Sequence, residues 1–186
     1  YKINYFFNFI GGNSDSSEFI KKNYAYTYGE LTYNGLESIL NSINCKDKVF
    51  FDLGSGKGNV VINSIKIKPS LKKSIGIELS KKRYEEAFKN LNSLINNEKF
   101  KIQFLNNDIL SNDINLNDAD IIYISNLCFS DDVNRQIAHK LDNEIKSGTL
   151  IFCSKKLPLT LKHEMKVTSV EQSWNEDSNL NCYKIL

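Results

Sequence analysis

Residues Val49 to Asn59 read VFFDLGSGKGN, and twenty positions beyond Gly58 the apolar run Ser74 to Leu79 (SIGIEL) carries the acid Glu78. Gly54, Gly56 and Gly58 let the main chain approach a ligand with no Cβ in the way, and an acid at the tip of the next strand can accept both hydroxyls of a ribose. The pairing points to a cofactor that bears adenosine. Dinucleotide sites space this loop G-x-G-x-x-G, to set pyrophosphate on a helix N-terminus, whereas here the order is D-x-G-x-G-x-G with Asp52 ahead of it and Asn59 behind. The competing reading is a glycine-rich turn that serves packing alone. Asp108 could accept from the exocyclic amine of adenine, with Ile109 and Leu110 offering an apolar face to the ring, or it could only form a turn beside Asn106 and Asn107.

These residues need strands and helices to carry them. Leu36, Ile39, Leu40 and Ile43 have the spacing of one helical face within Leu31 to Ile43, and a strand follows at Lys48 to Leu53. A helix from Asn59 to Ile67 ends before Pro69, so the glycines occupy a strand-to-helix turn. Beyond the strand that ends near Glu78, Ser80 is the expected N-cap of a helix from Lys81 to Leu94. Strands are expected at Lys101 to Asn106, Ala119 to Ser125 and Thr149 to Ser154, with a helix at Asp131 to Ile145 and a break at Gly148. Met165 to Val170 and Asn181 to Leu186 close the chain as two more strands. The pattern predicts a seven-stranded, mostly parallel α/β sheet with helices on both faces and a C-terminal antiparallel hairpin. Ligands in such sheets bind beyond the carboxyl ends of the strands, where the glycine loop, Glu78, Asp108 and Asn126 all fall.

Composition narrows the function classes. The chain has 186 residues, 41% of them hydrophobic, and its 24 basic and 22 acidic side chains leave a formal charge of +2. That is one ordinary globular domain, with dispersed lysines rather than a polyanion track, so strong direct nucleic-acid binding is not expected. The four cysteines, Cys45, Cys128, Cys153 and Cys182, lack C-x-x-C spacing or nearby histidines. No metal site is expected, and the thiols read as reduced core residues of an intracellular protein. No apolar stretch reaches about 18 residues, so no membrane span is expected. A monomer is the simplest assembly. The asparagine-rich stretches keep periodic apolar residues and read as compositional drift rather than disorder.

The order D-x-G-x-G-x-G resembles the first motif of class I S-adenosylmethionine methyltransferases. More specifically, Tyr26 to Glu30 (YTYGE), the glycine strand, Tyr123 to Val133 (YISNLCFSDDV) and Ile151 to Lys155 (IFCSK) resemble, in order and spacing, the disruptor-of-telomeric-silencing family of non-SET histone lysine methyltransferases. The resemblance runs from about Tyr24 onward and extends weakly to Ser173, Trp174 and Tyr183. It implies a Rossmann-like fold, S-adenosylmethionine as cofactor, a protein substrate with an acceptor lysine, histone among the candidates, and a nuclear address. It also implies that an N-terminal segment and helix, residues 1–47, cap the cofactor site of a methyltransferase domain at 48–186. Tyr28 and Glu30 would lie over the cofactor, with Leu31 where the family often has threonine.

The family's N-N-F-x-F stands here as Ser125, Asn126, Leu127, Cys128, Phe129, which keeps the second asparagine and the last phenylalanine. The amide of Asn126 would hold the cofactor's amino-acid end or the nucleophile; an exposed loop asparagine is the alternative. The family's acid and aromatic pair for adenine corresponds to Asp108 and Ile109, so stacking becomes aliphatic packing. Its channel tyrosine corresponds to Cys182 or Tyr183, depending on one gap. Methyl transfer from a sulfonium is an in-line displacement in which positioning dominates. A lysine nucleophile, with an ordinary pKa of about 10.4, must lose its proton, and an apolar channel beside a cation favours that loss. Phe129, Trp174 and Tyr183 are the candidates for the channel, against ordinary core roles. His139 and His163 lie far from the motifs, and neither is expected to act as a general base.

Overall fold

The computed structural model describes residues 31–93, 99–173 and 175–186. Helix α1 (Tyr33–Asn41) leads into β1 (Val49–Leu53), then α2 (Asn59–Ile67), β2 (Lys73–Glu78), α3 (Lys81–Asn92), a 3-10 turn at Lys99–Lys101 and β3 (Ile102–Asn106). The chain continues through β4 (Ile121–Ile124), α4 (Asp131–Glu144), β5 (Leu150–Cys153), β6 (His163–Gln172) and β7 (Asn175–Ile185). The seven strands form one sheet in the order β3-β2-β1-β4-β5-β7-β6, with β7 antiparallel to both neighbours.

Every residue of β1 is buried because helices cover both faces of the sheet. Phe50 joins one core with Leu36, Leu40, Val61, Ile65, Ala87 and Tyr123, which places α1, α2 and α3 on that side. Phe51 and Leu53 join the other with Val133, Ile137 and Leu141 of α4. The β3-to-β4 crossing contains no helix. Ile114 and Leu116 cover that part of the second face instead. The crossing is fastened by Lys140, whose ammonium donates to the Ser111 and Ile114 carbonyls, and by Glu144, which accepts from the Leu116 N–H.

Residues 33–41 of α1 share a core with α2 and the sheet. The last two strands are longer than their apolar pattern predicts. Residues 168–172 of β6 pair with 175–180 of β7 beyond Cys153, where β5 ends, so the hairpin stands past the carboxyl edge of the sheet. At about 3.3 Å per residue this wall rises on the order of 20 Å. The polar stretch NEDSN gives no strand signal of its own; cross-strand bonding supplies it. Thr32 and Asn34 clasp the tip by donating to the Glu171 carbonyl and carboxylate, and Leu31 bridges Gln172.

Candidate active site

Strand order reverses between β1 and β4, and the carboxyl ends of those strands open the cleft where ligands of such sheets bind. The glycine loop lies there. Gly54, Gly56 and Gly58 have φ of 92°, 53° and 79°, and the Gly54 and Ser55 N–H groups both donate to the Ile77 carbonyl at 2.9 Å. The loop thus folds back onto the tip of β2. The two outer glycines serve different needs. Among the described residues, a Cβ on Gly54 would meet only the Phe129 ring, 3.9 Å away, whereas one on Gly58 would lie 2.4 Å from Phe104 Cζ. Gly58 answers the close approach of α2 to β3, a packing need of its own. Gly54 leaves main chain open toward Phe129.

Glu78 is 4% exposed, and its carboxylate is held from two sides. Oε2 accepts from the Gly56 N–H and Oε1 from the Ser80 N–H, both at 2.8 Å. Ser80 caps α3 by accepting from the Arg83 N–H. Asn106 donates to the carbonyls of Glu78 and Leu79, a clamp that sequence reading passed over because Asn106 looked like part of a polar turn. Asp52 is buried in β1, in register with Gly76 and Tyr123, and Asn59 is exposed at the start of α2. Lys57, the loop's cation, pairs with Glu86 of α3 at 3.0 Å.

Asp108 follows β3, next to the Glu78 tip. Its Oδ1 accepts from the Leu110 N–H at 3.0 Å, a contact of the turn that follows β3. Ile109 is half-buried against the second core. Phe129, half-buried, brings the S-N-L-C-F segment to the glycine loop.

Two expectations need correction. Asn126 is not an exposed loop residue, and its amide does not open to the cleft. The side chain is fully buried; Nδ2 donates to Asn134 Oδ1 at 2.7 Å and to the Lys155 carbonyl at 2.9 Å, while Oδ1 accepts from the Lys155 N–H at 2.8 Å. Both of its N–H donors are therefore engaged within the protein. Tyr183 pairs with Ile151, two residues below the carboxyl end of β5, and is 2% exposed. Its hydroxyl accepts from the Leu157 N–H at 3.1 Å, and His163 packs edge-on at 5.1 Å, which makes it a core residue rather than a channel wall. Burial pushes its phenol above the ordinary value. Cys182 faces the first core. Tyr28, Glu30 and Trp174 lie outside the described residues.

Three cysteines are buried as expected, with burial and then Cys182 pushing the Cys153 thiol up to about 12, but Cys128 is exposed on the loop before Phe129. Asn134 was missed altogether. The signal available was a polar residue on the apolar stripe of Val133, Ile137 and Leu141.

The profile of the family described as "Histone methylation protein DOT1" matches residues 15–183. The chain belongs to this family. A histone-lysine N-methyltransferase of Caenorhabditis elegans, named as H3 lysine-79 specific, is 30% identical over 154 residues, 77% of this chain and 16% of that protein. A protein-lysine N-methyltransferase of Saccharolobus islandicus is 24% identical over 143 residues, 73% of this chain and 76% of that protein. The chain therefore spans a small part of the nematode relative and most of the archaeal one. The S-adenosylmethionine-dependent methyltransferase SibL shares the fold, with a TM-score of 0.64 at 11% identity over 83% of this chain and 55% of that one.

The fold is that of class I methyltransferases, and family and fold imply S-adenosylmethionine as cofactor. The donor set suits such a ligand. Glu78 is an acid fixed by main-chain donors, and the loop's cation is turned to Glu86, so the loop offers a diol acceptor and no lysine for pyrophosphate. No group of three or more His, Cys, Asp or Glu that could hold a metal occurs among the described residues, and no described helix is long and apolar enough to cross a membrane.

Proposed function

We propose that the chain is the catalytic domain of an S-adenosylmethionine-dependent protein-lysine N-methyltransferase. The observation that carries this reading is the buried Glu78 at the tip of β2, clasped by Ser80 and by Gly56 of the loop at the strand-order reversal, in a chain whose family acts in histone methylation. When bound, the cofactor supplies an electrophilic methyl on a sulfonium. The chain's own residues bind and orient. Glu78 accepts from the ribose hydroxyls; Gly54 and Gly56, with Asp52 and Asn59 on either side, give main-chain access along the cofactor. Asp108 and Ile109 receive the adenine edge and face, and Tyr28 and Glu30 cover the ligand from the N-terminal segment. Leu31, at the hairpin tip beyond the carboxyl ends, supports that last assignment, since it brings the start of α1 to the cleft side of the sheet.

Phe129 walls the acceptor's approach and excludes water, which favours the neutral amine of a lysine whose ordinary pKa is about 10.4. Residues 1–47 act as the cap and 48–186 as the catalytic body. The nematode relative's H3 lysine-79 specificity supports a histone substrate and a nuclear address, whereas the archaeal relative's name supports only a protein lysine.

The test is calorimetric titration with S-adenosylmethionine, followed by radiolabel transfer to nucleosomes, free histones and lysine-bearing non-histone proteins. Binding with label on a histone is the expected result. Label only on other proteins would remove histone as substrate, and a wild-type chain that binds no cofactor would overturn the proposal.

A further inference from the structure

We infer that Asn134 is a positioning residue for methyl transfer, acting with Asn126 as a buried lock that sets Phe129 over the glycine loop. The inference rests on the function proposed above. Asn134 is 3% exposed and lies one turn into α4, whose N-cap is Ser130. Its Oδ1 accepts from Asn126, while its Nδ2 donates to the carbonyls of Phe129 and Ser130 at 3.2 and 3.1 Å. One side chain thus grips both ends of the 126–129 turn, which is closed by the Phe129 N–H donating to the Asn126 carbonyl.

Asn126 in turn bonds both the N–H and the carbonyl of Lys155, so the turn after β4 is joined to the segment after β5. The Lys155 ammonium reaches back to Asp131 at 2.6 Å, a second tie between the same two segments. The consequence is positional. Phe129 stands beside Gly54 because the turn that carries it cannot rotate without leaving buried amide groups unbonded, and such groups are costly to strand. Neither asparagine needs to touch the acceptor.

The experiment compares wild-type protein with Asn134→Ala, Asn134→Asp, Asn126→Ala and the Asn126→Ala/Asn134→Ala double variant. Asn134→Asp keeps the acceptor for Asn126 and loses the donors to Phe129 and Ser130, so it reports on the lock should the alanine variant not fold. The lock predicts a fall of at least ten-fold in kcat/KM for the protein acceptor, while the Kd for S-adenosylmethionine stays within about three-fold. It also predicts a double variant no worse than either single, because residues that act as one unit are not additive. Amide hydrogen exchange at Phe129 and Lys155 should quicken in Asn134→Ala and Asn134→Asp while the β1 and β2 amides keep their protection.

Equal losses in cofactor and acceptor binding, additive effects, or unchanged exchange at Phe129 and Lys155 would each overturn the inference. The exchange readout needs no acceptor. If the wild-type chain methylates nothing, the proposed function fails, yet the lock is still decided by the amides.

Discussion

Replacing Glu78 by Gln separates what the acid does for the loop from what it does for a ligand. The substitution keeps the volume and one oxygen, but turns the other into an NH2 group facing the N–H of Gly56 or Ser80, each of which now donates to the carboxylate at 2.8 Å. At a side chain 4% exposed there is no water to take over, and a stranded buried donor costs about 1–3 kcal/mol. For a chain of this size each kcal/mol lowers Tm by about 2–4 °C, so a loss near 2 kcal/mol should appear as a drop of about 4–8 °C without ligand. The ribose loses a charged acceptor as well. Hydrogen bonds to charged groups contribute about 1.5–3 kcal/mol, which weakens Kd for S-adenosylmethionine by roughly 10- to 150-fold.

Thermal denaturation reads the first effect and calorimetry the second. Glu86→Gln serves as the control, since it breaks only a partly exposed pair with Lys57 and should change either reading by little. A lower Tm with unchanged Kd would refute the ribose assignment. A weakened Kd with unchanged Tm would refute the claim that the carboxylate holds the loop.

Gly58→Ala should destabilise the domain by about 2–5 kcal/mol, combining the left-handed backbone at φ 79° with overpacking against Phe104, and a melt within 2 °C of wild type would contradict this. At Asp120, burial opposes ionisation, but the Val49 N–H, Lys146 and Lys48 outweigh it and hold the carboxyl below its ordinary value. A depressed folded-state pKa stabilises above the unfolded value of about 3.9 and is lost as pH falls through the folded one. Asp120→Asn should therefore cost stability at pH 7, with the gap to wild type closing below pH of about 4 in urea titrations. Iodoacetamide at neutral pH should label Cys128 first and leave Cys153 unmodified until the protein unfolds, because the one is exposed and burial pushes the other's thiol up to about 12. Mass spectrometry of the labelled peptides checks the order.

Much of the fold was legible in the sequence because the signals are local. The run VFFDL followed by glycines marks a doubly buried strand and a sharp turn, and the amphipathic spacing of the helices needs no partner to be read. The register of Glu78 with the glycine loop follows from the length of one strand-turn-helix-strand unit. What required the tertiary structure was every choice made between distant segments. Residues 175–180 become strand only by pairing with β6. Asn126 reads as a cleft residue until Asn134 and Lys155, 8 and 29 positions away, are seen to take up its amide. Tyr183 reads as a channel wall until Leu157 engages its hydroxyl. Periodicity records which side of an element is apolar. Where a buried polar group finds its partner depends on which loops the sheet order brings together, and only the folded chain decides that.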